Sequence, residues 1–185
     1  MERSSQLRKL TTVGMMAAVS IILVYLIHFP LFPAAPFLEY DPADIPIFIC
    51  TFLYGPLSGF LLTVIVSFIQ GFTVSAHSGI IGVIMHIFAT GFFTIVAGNI
   101  YKNHRTKKAA VKALVAGSIV MVIAMVIWNL IFTPIFMGTP REAVMAILVP
   151  VIIPFNIIKA GVNSFVCFLI YKKIANHIPH GQALK

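Results

Sequence analysis

The chain has 185 residues, of which 59% are hydrophobic and only 10% charged, with a mean hydropathy of +1.01. That balance leaves too little polar surface for a soluble domain of this length and points to lipid as the solvent. The net charge of +8 comes from cations placed between apolar segments, so membrane topology accounts for it and a nucleic-acid partner is not expected.

In chain order, the first apolar segment spans about 8–29 and follows Arg3, Arg8 and Lys9. It is long for a signal-peptide core and no A-x-A site follows, so it reads as a retained helix. A loop from Pro30 to Asp44 comes next, PLFPAAPFLEYDPAD, in which Pro30, Pro33, Pro36 and Pro42 forbid a regular helix. A short span at about 44–54 ends at Gly55-Pro56, and a third runs 57–73 up to a polar turn around Ser75–Gly79. The fourth, fifth and sixth spans are placed at 80–101, 109–135 and 144–173. The expected fold is all-α: one membrane domain, 1–185, of six transmembrane helices. Cys50 and Cys167 lie inside apolar runs and read as small core residues, with no metal-ligand spacing around them.

Six spans put both termini on one side. Arg3, Arg8, Lys9, Lys102, Arg105, Lys107, Lys108, Lys112, Lys172, Lys173 and Lys185 then share that side. They are 11 of the 13 cations, which makes it cytoplasmic. Glu39, Asp41 and Asp44 fall on the outer side, in or beside the first loop.

Polar residues inside an apolar span are costly, and their depth carries information. Asn129 lies 17 residues outward from Lys112, about 25 Å at roughly 1.5 Å per residue. Asn156 lies 16 residues outward from Lys172, about 24 Å on the same rule. Lys159 shares the face of Asn156 one turn deeper, and Asn163 continues that stripe. The loop enters from the same side with Glu39, so an acid, a lysine and several amides converge in a candidate ligand site. Asn163 equally suits a helix–helix hydrogen bond. His86 reads as a packed, hydrogen-bonded histidine and His77 as a solvated turn residue. Phe37, Tyr40 and Trp128 are the aromatics placed near the site. On the first helix Gly14, Ala17 and Ala18 form a small-residue strip that suits close helix packing, within the chain or against a partner. No G-x-x-x-x-G-K-[ST] phosphate loop, H-E-x-x-H or G-x-S-x-G motif occurs, so neither ATP hydrolysis by that route nor a metalloenzyme or hydrolase is expected.

Several stretches together, VGMMAAVS at 13–20, FPLFPAAPFLEYDPADIP at 29–46, WNLIFTPIF around Asn129 and PFNIIKAGVNS around Asn156 and Lys159, resemble the substrate-binding S components of energy-coupling factor vitamin transporters, most closely the riboflavin type. The resemblance covers nearly the whole chain. It implies a multi-pass protein of the bacterial cell membrane that binds riboflavin from outside, as cargo and not as a cofactor, and performs no chemistry. It implies partnership with a transmembrane coupling subunit and two ATPase subunits. By the same resemblance Asn129, Asn156 and Lys159 hydrogen-bond the ligand, Leu38, Glu39 and Tyr40 cover it, and Gly14 and Ala18 dock the coupling subunit. Other readings are an S component for another vitamin or for flavin mononucleotide, a small membrane enzyme using Lys159 or His86, and an assembly subunit pinned by the polar cluster.

Overall fold

The structure is a computed structural model that describes residues 2–175. Lys185, one of the cations counted toward the cytoplasmic side, lies outside the described residues. Helices dominate: α1 (Glu2–Leu26), α2 (Asp44–Tyr54), α3 (Pro56–Phe72), α4 (Gly79–Asn103), α5 (Lys107–Met137), α6 (Arg141–Ile147) and α7 (Ile153–Ala175). A π-helical turn, Leu148–Ile152, joins α6 to α7, so the expected sixth span is one helical stretch. Among the described residues, four stretches are long and apolar enough to cross a bilayer: Ser4–Leu26, Ala76–Asn103, Lys107–Met137 and Arg141–Tyr171.

The short α2 is the centre of the packing. Every residue from Asp44 to Phe52 is buried, the pattern of a helix surrounded on all sides. It packs against α1, α3, α4 and α7. Phe48 stacks on Phe93 of α4 with ring centroids 3.6 Å apart. Gly55, at φ 89°, makes the tight turn into α3, a conformation that L side chains resist. Gly59 then lets α3 approach α2 so closely that a Cβ there would clash with Thr51. The outer surfaces of α1, α3, α5 and α7 are rows of exposed Leu, Ile, Val and Phe, as lipid contact requires.

The loop before α2 is more ordered than its prolines suggest. The first helix stops at Leu26, three residues short of the expected boundary, and the chain enters a minimal antiparallel pair, β1 (Phe29–Pro30) with β2 (Glu39–Tyr40). Ala35 and Leu38 pack with Val144, Val151, Ile152 and Phe155, which seats the loop on the α6–α7 stretch. Ser20 Oγ donates to Ala43 O at 2.9 Å and ties the loop's end to α1.

Proline shapes both helices that carry the candidate amides. Pro134 has no N–H, so the Leu130 carbonyl loses its intrahelical partner. Arg141 Nε fills that place, donating to Leu130 O at 3.1 Å. Pro150 lies within the π turn and Pro154 just beyond it, and the missing donors there go with the widened turn that sets the register of Asn156.

Candidate functional site

A cleft opens beneath the loop and runs between α3–α4 on one side and α5 and α7 on the other. Its empty space, with the open mouth included, is about 990 Å³. The lining is mainly apolar, with Met121, Met125, Val83, Ala89 and Phe155 deep in it and Phe37 and Leu38 beneath the loop. Unbranched methionines adapt their shape to a bound ring system.

Asn129 and Asn156 both line the cleft, from α5 and α7. Each turns one amide proton back onto its own helix: Asn129 Nδ2 donates to Met125 O and Asn156 Nδ2 to Ile152 O, both at 2.8 Å. Thr133 Oγ1 donates to Asn129 Oδ1 at 2.8 Å, fixing that amide's orientation. These bonds leave each amide a second N–H, and among the described residues Asn156 Oδ1 has no partner.

Lys159 lines the same wall one turn deeper. Its carboxylate partner is Asp41, with Nζ 2.7 Å from Oδ2, and its contact with Glu39 is to the backbone oxygen at 3.5 Å. The acid expected beside the lysine was Glu39. Its side chain points instead to the mouth, where Oε2 lies 2.7 Å from His28 Nε2 and 3.3 Å from His77 Nε2. The His28 nitrogen is close enough for an ion pair but lies off the line of a hydrogen bond and has no aligned partner. Asp41 is buried and also organises the loop, since its Oδ1 accepts from Ala43 N at 3.0 Å in a local turn.

Beneath the cleft a second polar layer locks the loop to the bundle. Tyr40 OH donates to Asn163 Oδ1 at 3.0 Å. Burial raises the Tyr40 phenol above its ordinary value, against the lowering field of Lys159, so it stays a donor at neutral pH. Asn163 Nδ2 donates to Asp41 O at 3.2 Å and approaches Asp44 Oδ2 at 3.5 Å. Asp44, fully buried at the start of α2, accepts from Thr90 Oγ1 at 2.9 Å and from His86 Nε2 at 3.0 Å. His86 Nδ1 lies 2.9 Å from Ser67 Oγ, which is itself 2.7 Å from Thr63 O. Ser67 has one proton and cannot donate to both.

The structure thus gathers Leu38, Glu39, Asn129, Asn156 and Lys159 around the cleft. Tyr40 and Asn163 lie under it, bonded to each other. Phe37 lines the cleft, whereas Trp128 stacks on Phe88 and Phe132 away from it. His86 is the hydrogen-bonded histidine expected and also reaches the cleft wall; His77 meets Glu39. Asp41, His28 and Gln70 also line the cleft and were not among the residues expected there. The available signal for Asp41 was that only five acids exist in the chain, and one of them had to meet the buried lysine. On α1, Gly14 and Ala18 are exposed and a Cβ on Gly14 would meet nothing within 4 Å, while Ala17 packs inward.

The comparisons agree with this architecture. The family described as "ECF transporter, substrate-specific component" matches residues 8–171. The chain is 30% identical over 179 residues to "Riboflavin transporter RibU" of Staphylococcus aureus (strain TCH60), covering 94% of this chain and 93% of that one. It is 29% identical over 178 residues to "Riboflavin transporter FmnP" of Bacillus subtilis (strain 168), covering 91% and 93%. A solved structure described as "Structure and mechanism of the S component of a bacterial ECF transporter" superposes with a TM-score of 0.80 at 31% identity, over 93% of this chain and 98% of the other. An apolar, multi-pass helical bundle with a polar-lined cleft under its first loop is therefore what this sequence builds, and the chain belongs to the substrate-specific components of ECF transporters.

Proposed function

We propose that this chain, as a single domain over 1–185, is the riboflavin-binding subunit of an ECF-type transporter. It crosses the membrane six times with both termini in the cytoplasm. Riboflavin enters from the outer side into the cleft, the loop at 30–43 covers it, and release is inward once a coupling subunit and two ATPases act. The chain has no phosphate loop of its own, so the energy comes from those partners.

The observation that carries the substrate is the pairing of an apolar slot with two oriented amides and a lysine whose charge is already matched. Riboflavin is flat and neutral. Its pyrimidine edge alternates acceptors with a donor, which Asn129 and Asn156 complement with their free amide groups. Lys159 adds an N–H donor while Asp41 balances its charge. Leu38 and Glu39 close the mouth side, and Tyr40 and Asn163 hold the loop that carries them. A phosphorylated flavin would bring a dianion toward Glu39 and Asp41, and Arg141 is engaged elsewhere with Leu130. The role is binding and transport, with no chemistry on the ligand.

Gly14 and Ala18, on the exposed face of α1, are the docking strip for the coupling subunit, with Ala17 packing behind them. The small side chains permit close approach of a partner helix. Purified protein should carry a flavin absorbance, or quench riboflavin fluorescence on addition. Saturable binding of a different vitamin without any flavin signal would overturn the substrate.

A further inference from the structure

Outside the cleft, the molecule carries a second hollow, a groove on the lipid-facing side between α5 and α7. Its floor is made of small residues, Ser118, Ala160, Gly161 and Ser164, and its walls of large ones, among them Val115, Ile119, Ile157 and Phe165. The two serines bond each other at 2.8 Å, so the floor turns little polarity toward an occupant. The large wall residues are exposed, Phe165 at 63% and Val115 and Ile119 at 53% each. What fits is an unbranched apolar chain.

The length and the charge at one end name the occupant. On α5 the groove runs from Val111 to Ile123, twelve helical rises or about 18 Å. One leaflet of the hydrocarbon core is about 15 Å deep, half of the roughly 30 Å total. The end at Val111 meets Lys107, Lys108 and Lys112, all exposed, one helical turn or less away. No acidic residue occurs anywhere on α5 to neutralise them. We infer that this groove is a binding site for an anionic phospholipid, one acyl chain lying along Gly161 and Ser164 and the phosphate seated on Lys107, Lys108 and Lys112. Basic residues at the cytoplasmic end of an interhelical groove recognise anionic headgroups by charge. That the lipid belongs to the inner leaflet rests on the topology proposed above; the groove chemistry does not.

The test uses the full chain in detergent micelles, which have no sidedness and so examine the groove apart from the topology. Phosphatidylglycerol and phosphatidylcholine with identical acyl chains are added, and thermal unfolding is followed. Phosphatidylglycerol should raise the melting temperature by several degrees more than phosphatidylcholine. Gly161→Leu should remove that excess by filling the groove, because a Cβ there meets nothing within 4 Å and the new side chain has room. The triple change Lys107→Ala, Lys108→Ala, Lys112→Ala should remove it by deleting the headgroup partners. Circular dichroism checks the fold of each variant, with Gly161→Ala as a milder substitute should the leucine variant misfold. Equal stabilisation by the two lipids, or an excess that survives in both variants, overturns the inference. Loss of coupling-subunit capture in Gly161→Leu with an intact phosphatidylglycerol excess also overturns it, and assigns the groove to that protein.

Discussion

Lys159 and Asp41 stand 2.7 Å apart across 118 residues of sequence, joining the deepest cation of α7 to the loop that roofs the cleft. Both side chains are largely withdrawn from solvent, 13% and 4% exposed. The pair does two jobs: it holds the loop down, and it presents an N–H donor to the cleft without a net charge. Removing either partner leaves a buried charge unmatched, at roughly 3–5 kcal/mol. Lys159→Met and Asp41→Leu should each lower the unfolding temperature strongly. The double replacement should recover much of the loss. Additive losses in a thermal double-mutant cycle would show that the two side chains are not coupled.

Asn129 and Asn156 bear on ligand recognition more directly, because each keeps an N–H free for a ligand. Asn129→Ala or Asn156→Ala should weaken riboflavin binding by about 1–3 kcal/mol, roughly 5- to 150-fold, the cost of leaving a ligand polar edge unpaired. Fluorescence-quench titration of each variant measures this. Unchanged affinity in both would remove these amides from the site.

Gly14→Leu places a bulky side chain on an open face, since a Cβ at Gly14 meets no other atom of the chain. Riboflavin affinity of the isolated protein should be unchanged, while uptake by the assembled transporter falls at least tenfold. Equal loss of binding and uptake would argue that the strip serves internal packing.

Asp44 is buried at the head of α2 and relies on His86, Thr90 and Asn163 for its hydrogen bonds. His86→Ala strips one donor from it. The expected cost is about 1–3 kcal/mol, that of leaving a buried acceptor short of a hydrogen bond. Thermal unfolding of His86→Ala and His86→Gln measures it, and glutamine, which restores a donor, should recover part of the loss. An unchanged melting temperature in His86→Ala would remove the histidine from the support of Asp44.

The helices were legible because apolar runs and proline or glycine breaks mark them directly. Span boundaries at 44–54, and within a few residues at 57–73, 80–101 and 109–135, coincide with α2, α3, α4 and α5. Depth counting from the flanking lysines placed Asn129 and Asn156 on one cleft, since helical rise converts residue number into height. It could not choose between Glu39 and Asp41 as the lysine's partner. That choice depends on how a proline-rich loop folds, and the loop's β1–β2 pairing turns the Glu39 side chain to the mouth, toward His28 and His77. The same limit applies to the π turn: the span expected at 144–173 runs straight through Pro150 and Pro154, and the widened turn at Leu148–Ile152 emerges only in the structure. Gly59 shows a third case: the residue type alone does not reveal its use, which is the close seat of α3 on Thr51.

The central claim is capture of riboflavin, as opposed to its phosphate, in the cleft under the loop. Parallel fluorescence titrations of the purified chain with riboflavin and with flavin mononucleotide test it directly. The account predicts saturable quenching of riboflavin and at least tenfold weaker binding of the phosphate, because the cleft's lysine is already matched by Asp41 and Glu39 lines the mouth side. Equal or tighter binding of the phosphate, or no saturable quenching of riboflavin at all, would contradict it.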